Sequence, residues 1–117
     1  MDKHSALFLM GKDIPWERID PKIERQIVGF NNEIMMVNVK FDVGGIGPMH
    51  EHYHSQVTYI VSGVFEMTIG EETRTISAGD SYFIPPHVMH GIVCKEAGIL
   101  IDVFSPHRED FMESVKS

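Results

Sequence analysis

The stretch GPMHEHYHSQ, residues 47–56, brings His50, His52, His54 and Gln56 close together in the chain. Imidazole is the usual protein ligand for borderline divalent metals. In extended backbone, side chains two apart face the same way, so His50 and His52 can present their rings to one point. The segment YHS is then free to turn, and Gln56 opens the next strand. His90, in GDSYFIPPHVMHGIVC, is a fourth candidate ligand. Any one histidine read alone is a solvated or hydrogen-bonded side chain, and His4 and His107 are read that way.

A second group lies in LIDVFSPHRED, residues 100–110. On a half-buried strand Leu100, Asp102 and Phe104 share one face, and Ile101 and Val103 the other. If Val103 packs outward under a second layer, Asp102 points into the interior. A carboxylate is costly there unless it is paired or near a cation. The structural alternatives are a fraying sheet end, or an ion pair with Arg74 or Arg108. Arg108, just past Pro106, has the alternative of an exposed helix residue.

Strands must position these groups, and the chain shows one strand signal after another. ERQIVGF (24–30) and EIMMVNVKFDV (33–43) flank an Asn-Asn turn. QVTYIVSG (56–63) is β-branched and aromatic, and VFEMTIG (64–70) alternates with period two. TRTIS (73–77), SYFIP, HGIVC (90–94) and GILIDVFS (98–105) follow, separated by turn residues. Short strands at this spacing predict an all-β sandwich or barrel. Only the tail reads as helical, with Ser105 as cap, Pro106 at the first helical position and REDFMESVK as about two turns. The segment 11–22, with two prolines, is expected to be irregular. SALFLM (5–10) is read as an N-terminal strand whose exposed edge and apolar face pair with a second chain. That predicts a homodimer.

The 117 residues suffice for one domain with a core, so residues 1–117 are read as a single domain. Formal net charge is −7, and the ten basic residues form no cluster, so neither nucleic acid nor an anionic membrane is the expected partner. An acidic protein that handles an anionic small molecule needs a local positive centre, such as a metal or a buried arginine. The lone Cys94 excludes an internal disulfide, and the N-terminal apolar patch is too short for a secretory signal, which predicts a cytoplasmic location.

Residues 44–63 resemble the first cupin motif, with Gly44, His50, His52, Gln56 and Gly63 in register and glutamine in place of the motif's glutamate. Residues 79–94 resemble the second, through Gly79, Pro85 and His90. His87 stands where glycine is usual and Cys94 where asparagine is usual. The resemblance implies a small jelly-roll β-barrel holding one divalent ion on His50, His52, Gln56 and His90. The competing pair, His52 and His54, puts Thr58 at the fourth-ligand spacing, so His54 is read as a rim residue. Three imidazoles and an amide are all neutral, which leaves the ion its full charge as a Lewis acid and anchor for an anionic chelating ligand. Nickel, zinc, manganese and iron all suit such donors.

The spacing Asp102-x-Phe104-x-x-x-Arg108 further resembles the last strand of KdgF-type cupins, which act in pectin and alginate breakdown by opening unsaturated uronate rings. It implies Asp102, Phe104 and Arg108 as active-site residues, and a small anionic sugar acid, a 4,5-unsaturated uronate, as substrate. Two other readings use the same barrel. One is a dioxygenase with a redox-active metal; the other is a non-catalytic sugar- or metabolite-binding module.

Overall fold

A computed structural model describes residues 3–114 of the chain. Its strands are β1 (Glu17–Asp20), β2 (Ile23–Phe30), β3 (Met35–Phe41), β4 (Ile46–His50), β5 (Ser55–Ile60), β6 (Val64–Ile69), β7 (Glu72–Ser77), β8 (Ser81–Ile84), β9 (His90–Glu96) and β10 (Gly98–Ser105). They form two antiparallel sheets, one in the order β1-β2-β3-β10-β5-β8 and the other β4-β9-β6-β7. This is the expected all-β barrel, made of two sheets that face each other across a shared interior.

Alternation along the strands decides what fills that interior. On β3, Met35, Val37, Val39 and Phe41 are buried while Met36 and Lys40 are exposed. On β5 the buried set is Gln56, Thr58 and Ile60. Register then assembles rows across the inner face. Val39, Leu100 and Ile60 form one row; Val37, Asp102 and Thr58 the next; Met35, Phe104 and Gln56 the third. The barrel is therefore apolar at one end and polar at the other. Phe41 and Phe65, from opposite sheets, meet edge to face at 5.3 Å and anchor the apolar end.

Asp102 faces inward as expected, but among the described residues no second layer covers Val103. It lies in an outer row with Met36, Val57 and Phe83, and the last three are exposed. Among the described residues five positions take a left-handed backbone, four of them glycines and the fifth His87. Gly63 has φ +88°, and a Cβ there would lie 2.7 Å from the carbonyl oxygen of Glu96. His87 keeps the same hand, φ 64°, at the place where the second motif has glycine.

Several expectations are corrected. Residues 11–22 are not wholly irregular, because β1 fits between Pro15 and Pro21 as a short edge strand on β2. SALFLM forms no strand. Its tie to the barrel runs through Ser5, which exchanges hydrogen bonds with the Phe30 backbone, while Leu7 and Phe8 stand exposed. The tail is no α-helix either. The Ser105–Pro106 peptide is cis, and Glu109–Ser114 is a 3-10 turn in which Phe111 N–H bonds the carbonyl of Arg108. Two α-turns would be marginal alone, and here packing decides, with Met112 buried in the core and Phe111 stacked edge-on to Phe104.

Phe65 is fully buried between the sheets. Phe65→Ala should lower unfolding stability by about 3–5 kcal/mol, read from urea unfolding followed by circular dichroism.

Candidate functional site

Three elements bring the histidines together at the polar end. His50 ends β4 and His90 begins β9, and the two are cross-strand partners with ring centroids 4.3 Å apart. His52 lies beyond β4, in the loop to β5, so it does not share a strand with His50 as expected. Its ring nevertheless turns inward, 4.8 Å from His90 and 5.6 Å from His50. One nitrogen from each of the three histidines lies within 4.8 Å of the others.

Backbone carbonyls orient these rings. Nδ1 of His50 bonds the carbonyl of Pro48 (2.8 Å), Nδ1 of His52 that of His54 (3.1 Å), and Nδ1 of His90 that of Val88 (2.9 Å). Burial pushes His90 down to about 4. It lowers His52 as well, helped by the positive charge of Arg108. A neutral ring that donates through Nδ1 keeps its lone pair on Nε2. Such outer hydrogen bonds are what fix the tautomer of metal-binding histidines.

Gln56 completes the group. Its Nε2 donates to Thr58 Oγ1 (3.0 Å) and Asp102 Oδ1 (3.1 Å), which turns Oε1 toward His52 Nε2, 3.1 Å away. Two lone-pair atoms so placed need a proton or a cation between them. Neighbouring ligands about 2.1 Å from a divalent ion stand about 3 Å apart, so the donor set fits such an ion.

The cavity beside this cluster has a volume of about 270 Å³ and is lined by His50, Gln56, His90, Asp102, Phe104 and Arg108, among others. Asp102 accepts a 2.6 Å hydrogen bond from Thr58. Burial raises its carboxyl to about 6, against the opposing pull of Thr58, Gln56 and Arg108. Neither alternative ion pair forms: Arg74 pairs with Glu72, and Arg108 with Asp110. Nor is Arg108 an exposed helix residue. Its side chain is 12% exposed, bonded to Asp110 at 3.0 and 2.8 Å, and its guanidinium stacks on Phe104 and Phe111.

His54 is not on the rim. It is 5% exposed and its Nε2 donates to the carbonyl of His107, so it ties the histidine loop to the turn that carries Arg108. Sequence reasoning missed other groups of the site. Thr58 shares a face with Gln56 by simple alternation, a signal that was available. Arg25 lines the cavity with its guanidinium 3.9 Å from the Phe111 ring and its Nε bonded to Glu17 at 2.6 Å. Alternation with Ile23 and Ile27 puts it inside. Burial, then the nearby Asp102 charge, raises the phenol of Tyr82. Tyr82 faces in because β8 pairs with β5, which no local pattern announces.

Two facing antiparallel sheets with three histidines, two from one sheet and one from the adjoining loop, gathered at one end make this a cupin, and the chain belongs to the cupin domain family, whose model matches residues 37–104. Within that family it is 40% identical over 107 residues to the pectin degradation protein KdgF of Dickeya dadantii (strain 3937), covering 90% of this chain and 97% of that protein. The structure of KdgF from Halomonas sp. superposes with TM-score 0.87 at 39% identity, over 92% of this chain and 99% of that one. An RmlC-like cupin from Shewanella frigidimarina NCIMB 400 gives TM-score 0.90 at 48% identity, over 92% and 97%.

Elemental analysis of purified protein should find close to one divalent ion per chain, and His90→Ala should lose most of it. Full occupancy in that variant would move the site elsewhere.

Proposed function

We propose that this chain opens the ring of 4,5-unsaturated monouronates from pectin or alginate breakdown and carries the product to its keto form. The observation that supports this most directly is the convergence of Asp102, Arg108 and the histidine cluster on one cavity, in a chain 40% identical to a pectin degradation protein. The cavity has room for a single sugar ring, not for a chain of them.

In this reading His50, His52, Gln56 and His90 hold a divalent ion. Once bound, it supplies a Lewis acid for the substrate carboxylate and ring oxygen, where negative charge grows as the ring opens. Arg108 binds the carboxylate through charge-assisted hydrogen bonds, already oriented by Asp110 and the two phenylalanine rings. Phe104 forms the wall against the sugar face. Asp102 takes the proton of the anomeric hydroxyl; the C1 carbonyl forms, the bond from C1 to the ring oxygen breaks, and its electron pair passes to that oxygen as an enolate. The same proton is returned to C4, which leaves a ketone at C5. Atoms and electrons balance, so the reaction is an isomerisation with no other reactant.

The conjugated enol ether absorbs in the ultraviolet and the ketone product does not, so turnover should appear as loss of that absorbance. Asp102→Asn should lower turnover by about 10²–10⁴-fold. Arg108→Ala should mainly weaken substrate binding, by about 1.5–3 kcal/mol. Metal-loaded wild type that leaves every unsaturated uronate unchanged would rule the activity out.

We propose further that the protein works as a cytoplasmic homodimer, joined through the exposed apolar row of Met36, Val57 and Phe83. Sedimentation at micromolar concentration should give twice the chain mass, and Val57→Asp should shift it toward the monomer. A wild-type monomer under those conditions would count decisively against it.

A further inference from the structure

Among the described residues lining the cavity, Asp102 is the only carboxylate. Its two oxygens are treated differently. Oδ1 accepts from Thr58 Oγ1 (2.6 Å) and from Gln56 Nε2 (3.1 Å), while among the described residues Oδ2 takes no hydrogen bond. With Asp102 ionised, the protons of this triangle have a single arrangement. An ionised carboxylate only accepts, so the single hydroxyl proton of Thr58 goes to Oδ1. Thr58 Oγ1 must then accept the Gln56 N–H at 3.0 Å, and the second amide proton goes to Asp102. Both N–H groups of Gln56 are spent on this side, and its carbonyl is left for the histidines.

We propose that position 56 is a glutamine because Asp102 needs its N–H, so that one amide couples the metal ligands to the proton-moving carboxylate, and Thr58 is the positioning residue that completes the lock. The glutamate usual at this place in the motif could not do this. It would set acceptor against acceptor at about the present 3.1 Å, with one Thr58 proton to serve both and a second negative charge beside the first. Thr58 is fully buried and sits directly across the strand pair from Asp102, where its hydroxyl reaches Oδ1. With Oδ1 held, Oδ2 is the atom that exchanges the proton with substrate. That last assignment rests on the proposed ring-opening activity; the coupling between positions 56 and 102 does not.

The coupling is tested without substrate, on metal-free protein, by thermal unfolding of wild type, Q56E, D102N and the exchange variant Q56E/D102N. Q56E alone should lower Tm by about 5 °C or more. In the D102N background the same substitution should cost little, because the amide that D102N introduces can donate to the new carboxylate; the non-additivity is the signal. An exchange variant that folds where Q56E does not supports the coupling equally. An equal cost in both backgrounds, or failure of both to fold, overturns it. Thr58 is tested on metal-loaded enzyme. T58V should keep its metal and its KM within about 2-fold and lose about 10–100-fold in kcat, and T58S should restore it. Unchanged kcat in T58V, or no rescue by T58S, overturns the positioning role. If wild type turns over no uronate, the functional reading fails on its own, and the unfolding cycle still decides the coupling.

Discussion

Polar groups on the inner face of a barrel are tolerable only when each donor meets an acceptor, and at one end of this molecule Gln56, Thr58, Asp102 and His90 are all turned inward. Everything else at the site follows from how that demand is met. Thr58 and Gln56 together satisfy Oδ1 of Asp102, and Gln56 can do so only with its carbonyl facing His52. The remaining conflict, two lone-pair atoms at 3.1 Å, is the kind that a cation resolves. The fit to a cation thus rests on an unfinished hydrogen-bond network as well as on the histidines.

The two sheets divide the labour. The four-stranded sheet supplies His50 and His90 as a cross-strand pair, and the six-stranded sheet supplies Gln56, Asp102 and Phe104 from neighbouring strands. The apolar end, with Phe41 against Phe65, holds the sheets at the spacing the polar end needs. Carbonyls two residues before or after each histidine then orient the rings, so little freedom is left to lose when a ligand arrives.

The C-terminal turn brings positive charge into a protein of net charge −7. Arg108 and Arg25 both stack on Phe111, and each is held by a carboxylate, Asp110 or Glu17. Stacking on rings lets a guanidinium sit near a cavity at modest desolvation cost. His54 fastens this turn to the histidine loop through the His107 carbonyl, so Arg108 and the histidine cluster are mechanically linked.

Much of this was legible in the chain itself. Strand alternation pointed to an all-β sandwich or barrel, because a period of two is enforced residue by residue along each strand, and the two cupin-like motifs narrowed it to the barrel. The same alternation put Asp102 and Phe104 on one face, and the spacing of His50, His52, Gln56 and His90 marked the ligand candidates. Local pattern could not say which strands would be neighbours. Thr58 lies opposite Asp102, and Tyr82 beyond Thr58, only because β10, β5 and β8 pair in that order. Nor could it foresee that His54 would be buried, that Arg108 would fold back onto two rings, or that the tail would wind as a 3-10 turn. Periodicity is a property of consecutive residues and is written in the sequence; pairing, stacking and the direction of a shared proton belong to groups far apart in the chain, and only the folded structure decides them.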